Sequence, residues 1–124
     1  MGSMLKDRVV IVTGSGRGIG RDIALAMAAQ GAKVVVNDPG VSEKGEGHDD
    51  GPAAQVADEI RRAGGAAVAN TDSVAEWESA NRIVRCAVEA FGTLHAVVNN
   101  AGILRDRIFH NMSVEEWKAV VDVH

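Results

Sequence analysis

The sequence of 124 residues contains no tyrosine, a single cysteine, and only two tryptophans and two phenylalanines. One cysteine excludes an internal disulfide and is typical of a chain that folds in a reducing compartment. The net charge of −4 and the lack of a basic patch argue against nucleic acid as a partner. No apolar run approaches the roughly 20 residues of a bilayer-spanning helix, so no membrane partner is expected. Residues 1–4 lack the order of a signal peptide, and we expect a cytoplasmic location.

The sequence does contain a regular alternation of apolar runs with helical patterns. Its four apolar runs lack period-two alternation, as is typical of strands covered on both faces. This order predicts an α/β fold, a Rossmann-type doubly wound parallel sheet with strand order 3-2-1-4. Residues 5–124 form one such domain, which ends after the fourth strand and part of the next helix; residues 1–4 are a leader, either native or left by cloning. The predicted strands are Val9–Thr13, Lys33–Asn37, Ala66–Asn70 and His95–Asn99.

Helix start and stop signals divide the remaining residues. A first helix is expected from Gly18 to Gln30, and a second from Pro52 to the glycine pair at 64–65. Two serine–glutamate pairs predict capping boxes for the third and fourth helices. These pairs are Ser73 with Glu76 and Ser113 with Glu116. The expected inner faces are Ile19, Ile23, Met27 and Ala28 on the first helix, and Trp77, Ala80, Val84, Ala87 or Val88, and Phe91 on the third.

The clearest functional motif is T-G-S-G-R-G-I-G, residues 13–20, between the first strand and the first helix. Gly14 lets the chain leave the strand in a tight turn, while Gly18 and Gly20 allow close approach of backbone to a diphosphate and of helix to sheet. The helix N-terminus presents free N–H groups and the positive end of its dipole to that diphosphate. The motif predicts a dinucleotide site at Gly14, Ser15, Gly16, Arg17, Gly18, Ile19 and Gly20.

An acid at the end of the second strand completes this fingerprint. Asp38, eighteen residues after Gly20, would accept hydrogen bonds from the adenosine ribose and repel a 2′-phosphate, which favours NAD over NADP. Arg17 favours the opposite choice, because a cation in the turn could pair with that phosphate. We predict NAD as the cofactor. The acidic segment 38–51 is a solvated loop or, alternatively, a flap beside the adenine.

The histidines and the cysteine are interpreted as surface or packing residues. His48, His95 and His110 have no partner at metal-ligand spacing, so no metal site is predicted. A weak cation site at His48 with its neighbouring acids is the alternative. Cys86 is interpreted as a small packing residue near the inner face of the third helix.

A second motif, N-N-A-G, occupies residues 99–102 after the fourth strand. T-G-x-x-x-G-x-G followed by N-N-A-G resembles the short-chain dehydrogenase/reductase family. V-V-V-N-D-P-G at 34–40, E-I-R-R-A-G-G at 59–65, A-V-A-N-T-D-S-V at 67–74 and N-N-A-G-I-L-R-D-R at 99–107 resemble one branch of it. That branch comprises the (3R)-hydroxyacyl-CoA dehydrogenase domains of peroxisomal multifunctional enzymes of type 2 and their bacterial relatives.

The resemblance implies further roles for individual residues. It places Asp72, Ser73 and Val74 at the adenine, where the alternative is that the two polar residues only cap a helix. The N-N-A-G residues would lie at the switch point of the sheet, where ligands bind; the alternative is a plain turn. His124 falls where the family has the asparagine of its catalytic tetrad; the branch named above is similar in having histidine here, and the alternative is an ordinary helix residue. The N-N-A-G residues are Asn99, Asn100, Ala101 and Gly102.

The resemblance also implies an activity, hydride transfer between NAD and a secondary alcohol or ketone, above all a 3-hydroxyacyl-CoA. Alternatives are a 3-oxoacyl carrier-protein reductase, another ketone reductase, or a non-catalytic dinucleotide-binding sensor or interaction module. Because the family's Ser, Tyr and Lys lie beyond N-N-A-G and the chain has no tyrosine, we expect the cofactor half alone, inactive by itself. A homo-oligomer, or association with a C-terminal half, is expected, in the cytoplasm of a bacterium or the peroxisome of a eukaryote.

Overall fold

The computed structural model describes residues 2–40, 51–102 and 112–124, and within them strands and helices alternate as predicted. The first three strands have the predicted bounds, and the fourth is shorter by one residue at each end. The elements are β1 (Val9–Thr13), α1 (Gly18–Ala29), β2 (Lys33–Asn37), α2 (Gly51–Arg62), β3 (Ala66–Asn70), α3 (Trp77–Phe91), β4 (Ala96–Val98) and α4 (Val114–Val123).

The strands form a parallel sheet in the order β3-β2-β1-β4, which confirms the predicted topology. In the centre of the sheet, Ile11 lies opposite Val35 on one side and Val97 on the other. Because parallel strands all point the same way, the segments that follow them leave from one carboxyl edge. The glycine turn, Asp38, Asp72 and the N-N-A-G motif therefore share that edge.

Alternate residues of the strands enter two apolar layers. The layer between the sheet and helices α1 and α2 includes Val12 and Ile60. The smaller layer beneath α3 centres on Ile11, Val35 and Ile83. Each fully buried aliphatic side chain stabilises the fold by about 1.5–3 kcal/mol relative to exposure, so these layers provide the rigid base beneath the carboxyl edge.

Helix α1 approaches the sheet through its small residues. Gly20, Ala24 and Ala28 are buried. Ile23 and Met27, which were also predicted on the inner face, are partly buried. Ile19 is 74% exposed, so its predicted place on the inner face is wrong. The neighbouring Gly20 takes the position against the turn, because it alone has no side chain to collide there. Ile19 is left at the surface beside the glycine turn.

The predicted start of α3 is wrong, and its predicted inner face is confirmed at Ala87, with Ala80 and Phe91 partly buried. Glu76 is the N-cap, and Ser73 accepts a hydrogen bond from the backbone N–H of Ala75 (3.0 Å) rather than capping the helix. A local serine turn of this kind competes with helix formation and delays the start of the helix. Trp77 is 81% exposed, and Val84 and Val88 are exposed as well. The buried residues of α3 are Ser79, Ile83 and Ala87.

Helix α4 begins with the predicted capping box. Ser113 Oγ accepts from the Glu116 N–H at 3.0 Å, and Glu116 Oε1 accepts from the Ser113 N–H at 3.4 Å. No residue of this helix is buried, and Trp117 and Val121 are more than half exposed. In the described part of the chain, every helix is too short or too polar to cross a membrane.

Candidate dinucleotide site

The glycine turn and the N-N-A-G segment contact each other at the carboxyl edge. Gly14 has a φ of +65°, and a Cβ at this position would lie 2.9 Å from the Ala101 Cα. A Cβ on Gly20 would collide with the Gly14 carbonyl oxygen and would lie 2.5 Å from Asn100 Nδ2. Both positions therefore require glycine, as the sequence predicts, and here the reason is contact between two protein segments.

Thr13 and Asn100 join these two segments by hydrogen bonds. Thr13 Oγ1 accepts from the N–H groups of Asn100 (3.0 Å) and Ala101 (3.1 Å) and donates to the Val98 carbonyl (3.3 Å). Asn100 Nδ2 donates to the carbonyls of Thr13 and Gly14, both at 3.2 Å. The sequence singled out Asn100 as a ligand-binding candidate; in the structure its side-chain amide also ties the N-N-A-G segment to the glycine turn. Asn99 is exposed beside it.

Asp38 is buried against the glycine turn, with 6% of its surface exposed. Its Oδ2 accepts from the Gly16 N–H at 3.0 Å, and its Oδ1 accepts from the Gly40 N–H at 2.8 Å. A Cβ on Gly16 would lie 2.8 Å from that Oδ2 and 2.7 Å from the Pro52 Cβ. The turn and the acid thus form one unit, and the carboxylate is fixed where the sequence predicts it.

Ser15 stabilises the glycine turn through hydrogen bonds to the protein backbone. Its side chain is fully buried and donates to the Val12 carbonyl at 2.7 Å, while its N–H donates to the Asn37 carbonyl at 2.9 Å. The start of α1 is open by contrast. Arg17 is the N-cap without a side-chain cap, Gly18 has a φ of +60° with nothing within 4 Å of a built Cβ, and Ile19 is exposed. The first N–H groups of α1 have no side-chain acceptor within the described residues, and this suits an anion.

Asp72 lies at the carboxyl end of β3, but its carboxylate already has protein partners. Asp72 Oδ1 accepts from Arg82 Nε (2.9 Å), and Oδ2 accepts from Asn70 Nδ2 (2.9 Å). Partial burial raises the pKa of Asp72, but the hydrogen bonds from Arg82 and Asn70 outweigh it, and the pKa falls below its ordinary value. Val74 packs against the apolar layer beneath α3. The carboxylate is therefore an ionised acceptor held by two donors.

Sequence reasoning missed the polar pair that supports Asp72. Asn37 and Asn70 stand in register at the ends of β2 and β3. Asn37 Nδ2 donates to Asn70 Oδ1 at 2.8 Å and to the Asp72 carbonyl at 2.9 Å, whereas Asn37 Oδ1 is buried without a partner in the described residues. An amide ending each of two adjacent apolar strands is a signal that could have revealed this pair.

His124 returns from the end of α4 to the N-N-A-G segment. A Cβ on Gly102 would lie 2.8 Å from His124 Nε2, so the imidazole rests on the glycine backbone. The structure thus brings His124 to the same edge as the glycine turn. A larger residue at 102 would displace this ring.

The remaining candidates lie away from this edge or outside the described residues. His95 accepts a hydrogen bond at Nδ1 from the Val9 N–H at 2.9 Å, at the opposite end of the sheet. Burial raises the pKa of the Cys86 thiol, against a hydrogen bond with Asn70, so the thiol is a poor nucleophile. His48, His110 and the acidic segment at 41–50 lie outside the described residues. Within residues 2–40, 51–102 and 112–124, no cluster of His, Cys, Asp or Glu could hold a metal ion.

Comparison with known proteins gives the same picture. The family model described as short chain dehydrogenase matches residues 8–124. A short-chain type dehydrogenase/reductase of Mycobacterium tuberculosis is 52% identical over 120 residues, which are 97% of this chain and 42% of that protein. Peroxisomal multifunctional enzyme type 2 of Mus musculus is 52% identical over 117 residues, 94% of this chain and 16% of that protein. A crystal structure of a short chain dehydrogenase from Mycobacterium avium matches with a TM-score of 0.89 and 54% identity, over all of this chain and 43% of that one.

A fingerprint turn fixed to its acid, in a sheet of the expected order, defines a Rossmann-type dinucleotide fold. With the match over residues 8–124, the chain belongs to the short-chain dehydrogenase family, a family of oxidoreductases. The predicted resemblance is confirmed. The chain spans less than half the length of each of these three relatives.

Proposed function

We propose that this chain is the NAD-binding part of an oxidoreductase that transfers a hydride between NAD and a secondary alcohol or ketone. The observation that carries the proposal is the carboxylate of Asp38, buried and fixed by the Gly16 N–H beside the open N-terminus of α1. A 2′-phosphate at the ribose would approach this fixed negative charge, whereas a ribose diol can donate to it. Exposed Arg17 is the one opposing feature of the turn.

The residues at the carboxyl edge fit the parts of a dinucleotide. The turn from Gly14 to Gly20 would hold the diphosphate with backbone N–H groups, and Asp38 the adenosine ribose. Asp72 and the Val74 N–H would face the adenine, with Ser73 between them. The segment Asn99–Gly102 would lie beside the nicotinamide. The bound cofactor supplies the hydride acceptor, and these residues fix its ring against the substrate carbon.

The proposed substrate is a 3-hydroxyacyl-CoA or a similar small molecule. It rests on likeness to the branch that includes a peroxisomal multifunctional enzyme, and on the strings at 34–40 and 103–107, of which the second lies outside the described residues. His124, whose ring rests on Gly102, is proposed to take the family's asparagine position beside the reacting atoms. The compartment is proposed to be the cytoplasm, or the peroxisome if the source is a eukaryote.

A non-catalytic dinucleotide-binding module is the second candidate. It needs only the dinucleotide site, whereas the enzyme also needs the family's acid–base tyrosine, which lies beyond N-N-A-G and is not among these 124 residues. The two candidates differ in one easily read feature. A Y-x-x-x-K string encoded downstream of His124 supports the enzyme, whereas a stop codon there supports the module.

The test of the activity uses the longest protein that the coding sequence specifies. This longer protein should produce NADH when it is incubated with NAD and a 3-hydroxyacyl-CoA. The 124-residue polypeptide, prepared separately, should produce none. NADH production by that 124-residue polypeptide would show that the acid–base chemistry does not need a tyrosine. NADH binding without turnover by the longer protein would favour the non-catalytic module.

Self-association, or association with further chain, is proposed for the β4 side. Val97 in β4 and Trp117 and Val121 in α4 are exposed apolar residues, and the far edge of β4 has no strand partner within the described residues. An unpaired apolar edge is a template for association. Light scattering on the 124-residue polypeptide should show a species larger than its 13.0 kDa mass. A monodisperse monomer of that mass would contradict the proposal.

A further inference from the structure

A chain of polar side chains lies under the carboxyl edge where β2, β3 and α3 meet. Asn37 donates to Asn70, and Asn70 Oδ1 also accepts from the Asp72 N–H at 2.9 Å. Asn70 Nδ2 donates to the carboxylate of the same aspartate. One asparagine therefore fixes both the backbone and the side chain of Asp72.

Arg82 holds the other oxygen of this carboxylate and is itself held. Its Nε donates to Asp72 Oδ1 at 2.9 Å, and its Nη2 donates to Ser79 Oγ at 2.8 Å. Ser79 is buried on the inner face of α3, so the guanidinium is anchored to the helix as well as to the acid. Because Nη2 is held by Ser79, the planar guanidinium presents its Nε–H to Asp72 in one direction, which a flexible ammonium would not do.

Stability alone gives little reason for this arrangement. The side chain of Arg82 is 50% exposed and that of Asp72 is 26% exposed. Ion pairs with such exposure contribute little to stability, because solvent screens them. What the pair does achieve is a carboxylate of fixed direction that remains ionised, and an ionised carboxylate can only accept hydrogen bonds.

We propose that Arg82 and Asn70 are positioning residues for base recognition, which direct the Asp72 carboxylate toward the exocyclic amine of adenine and thereby reject hypoxanthine. The inference rests on the proposed dinucleotide site. Adenine offers a donor at its 6-amino group and an acceptor at N1, which match the Asp72 carboxylate and the Val74 N–H. Hypoxanthine offers a carbonyl at position 6 and an N–H at N1, so both contacts become repulsive.

The experiment measures dissociation constants for NADH and for reduced nicotinamide hypoxanthine dinucleotide on the longest protein that carries this chain. Arg82→Met removes the donors but keeps a side chain of similar length. Arg85→Met is the matched control, because Arg85 lines the same groove of about 540 Å³ one turn further along α3. The wild-type protein should prefer NADH by about tenfold, the scale of a hydrogen bond to a charged group.

Arg82→Met should bring the two dissociation constants to within about twofold, mainly by weakening NADH binding. Arg85→Met should keep the wild-type ratio, and Arg82→Lys should restore part of it. Equal weakening of both dinucleotides by Arg82→Met would mean a merely structural role and overturn the inference. An unchanged ratio would overturn it too.

Misfolding of Arg82→Met and a lack of dinucleotide binding by the wild-type protein have different consequences. If Arg82→Met does not fold, Ser79→Ala removes the anchor of the guanidinium and should lower the ratio by about threefold; an unchanged ratio there overturns the inference. If the wild-type protein binds neither dinucleotide, the proposed function fails and this inference with it. If it binds both equally, only the inference fails.

Discussion

Strands β1 and β2, in the middle of the sheet, and strand β4, at its edge, differ in how completely their residues are buried. All five residues of β1 and four of five in β2 are buried, whereas β4 has two exposed residues and one intermediate residue. Both sides carry a family motif at the same carboxyl edge. The glycine turn and Asp38 therefore follow strands that are buried within this chain. The N-N-A-G segment follows an exposed strand and is held mainly by hydrogen bonds to Thr13 and Gly14.

The largest effect is expected where the two sides meet. Gly20→Ala would place a methyl group against the Gly14 carbonyl and 2.5 Å from Asn100 Nδ2, and should lower the free energy of unfolding by about 3 kcal/mol. Urea unfolding measures it. Gly92→Ala is the control, because φ is +83° there but nothing lies within 4 Å, so backbone strain alone should cost about 1 kcal/mol. Similar losses in both variants would show that the contact between the motifs is not tight.

The comparison of sides can be sharpened with two identical substitutions. Val35 and Val97 both lie opposite Ile11, one fully buried and the other 44% exposed. At a concentration where light scattering shows the 124-residue chain to be monomeric, Val35→Ala should lower the free energy of unfolding by about 2–3 kcal/mol and Val97→Ala by about 0.5 kcal/mol. Thermal unfolding at matched concentration tests this. Equal losses would mean that β4 is covered, by self-association or otherwise.

The choice between NADH and NADPH should depend on Asp38, the buried acid that follows β2. Asp38→Ala removes the fixed carboxylate and should narrow any preference for NADH over NADPH by about tenfold, chiefly through tighter NADPH binding. Fluorescence titration of both dinucleotides gives the ratio. Asp58→Ala, on the surface of α2, is the charge-matched control and should leave the ratio unchanged. A preference that survives Asp38→Ala would shift the assignment to other residues of the turn.

The smallest effect concerns the pH dependence of stability at Asp72. Because its folded pKa lies below the ordinary value of 3.8, the contribution of Asp72 to stability is present above that value and is lost as pH falls through the folded pKa. Wild type should therefore be slightly more stable than Arg82→Met at pH 6, and the gap should close as pH falls below 3.8 and through the folded pKa. Unfolding curves across this range measure the gap. A gap that widens toward acid pH would give Asp72 the opposite sign.

The sequence predicted the parts of the fold that local patterns determine. Gly14 to Gly20, Asp38 and the capping box at Ser113 have chemical requirements within a few residues, and the strands follow from continuous apolar runs. The inner face of α3 was predicted only in part: Ala87 is buried, but Trp77 is exposed, and the polar Ser79 is buried where it accepts a hydrogen bond from Arg82. Apolar periodicity does not reveal a buried serine with a charged partner. The Asn37–Asn70 pair depends on register between two strands, which a single sequence does not display.

Paired calorimetric titrations of the wild-type protein are the strictest test of the proposed NAD site at Asp38 and the glycine turn. NADH and NADPH would be titrated into the longest protein that carries this chain, at the same salt concentration. We expect NADH to bind at least about tenfold more tightly, because a 2′-phosphate would approach the buried carboxylate of Asp38. Equal or tighter binding of NADPH would contradict it and would mean that Arg17 decides the choice of cofactor.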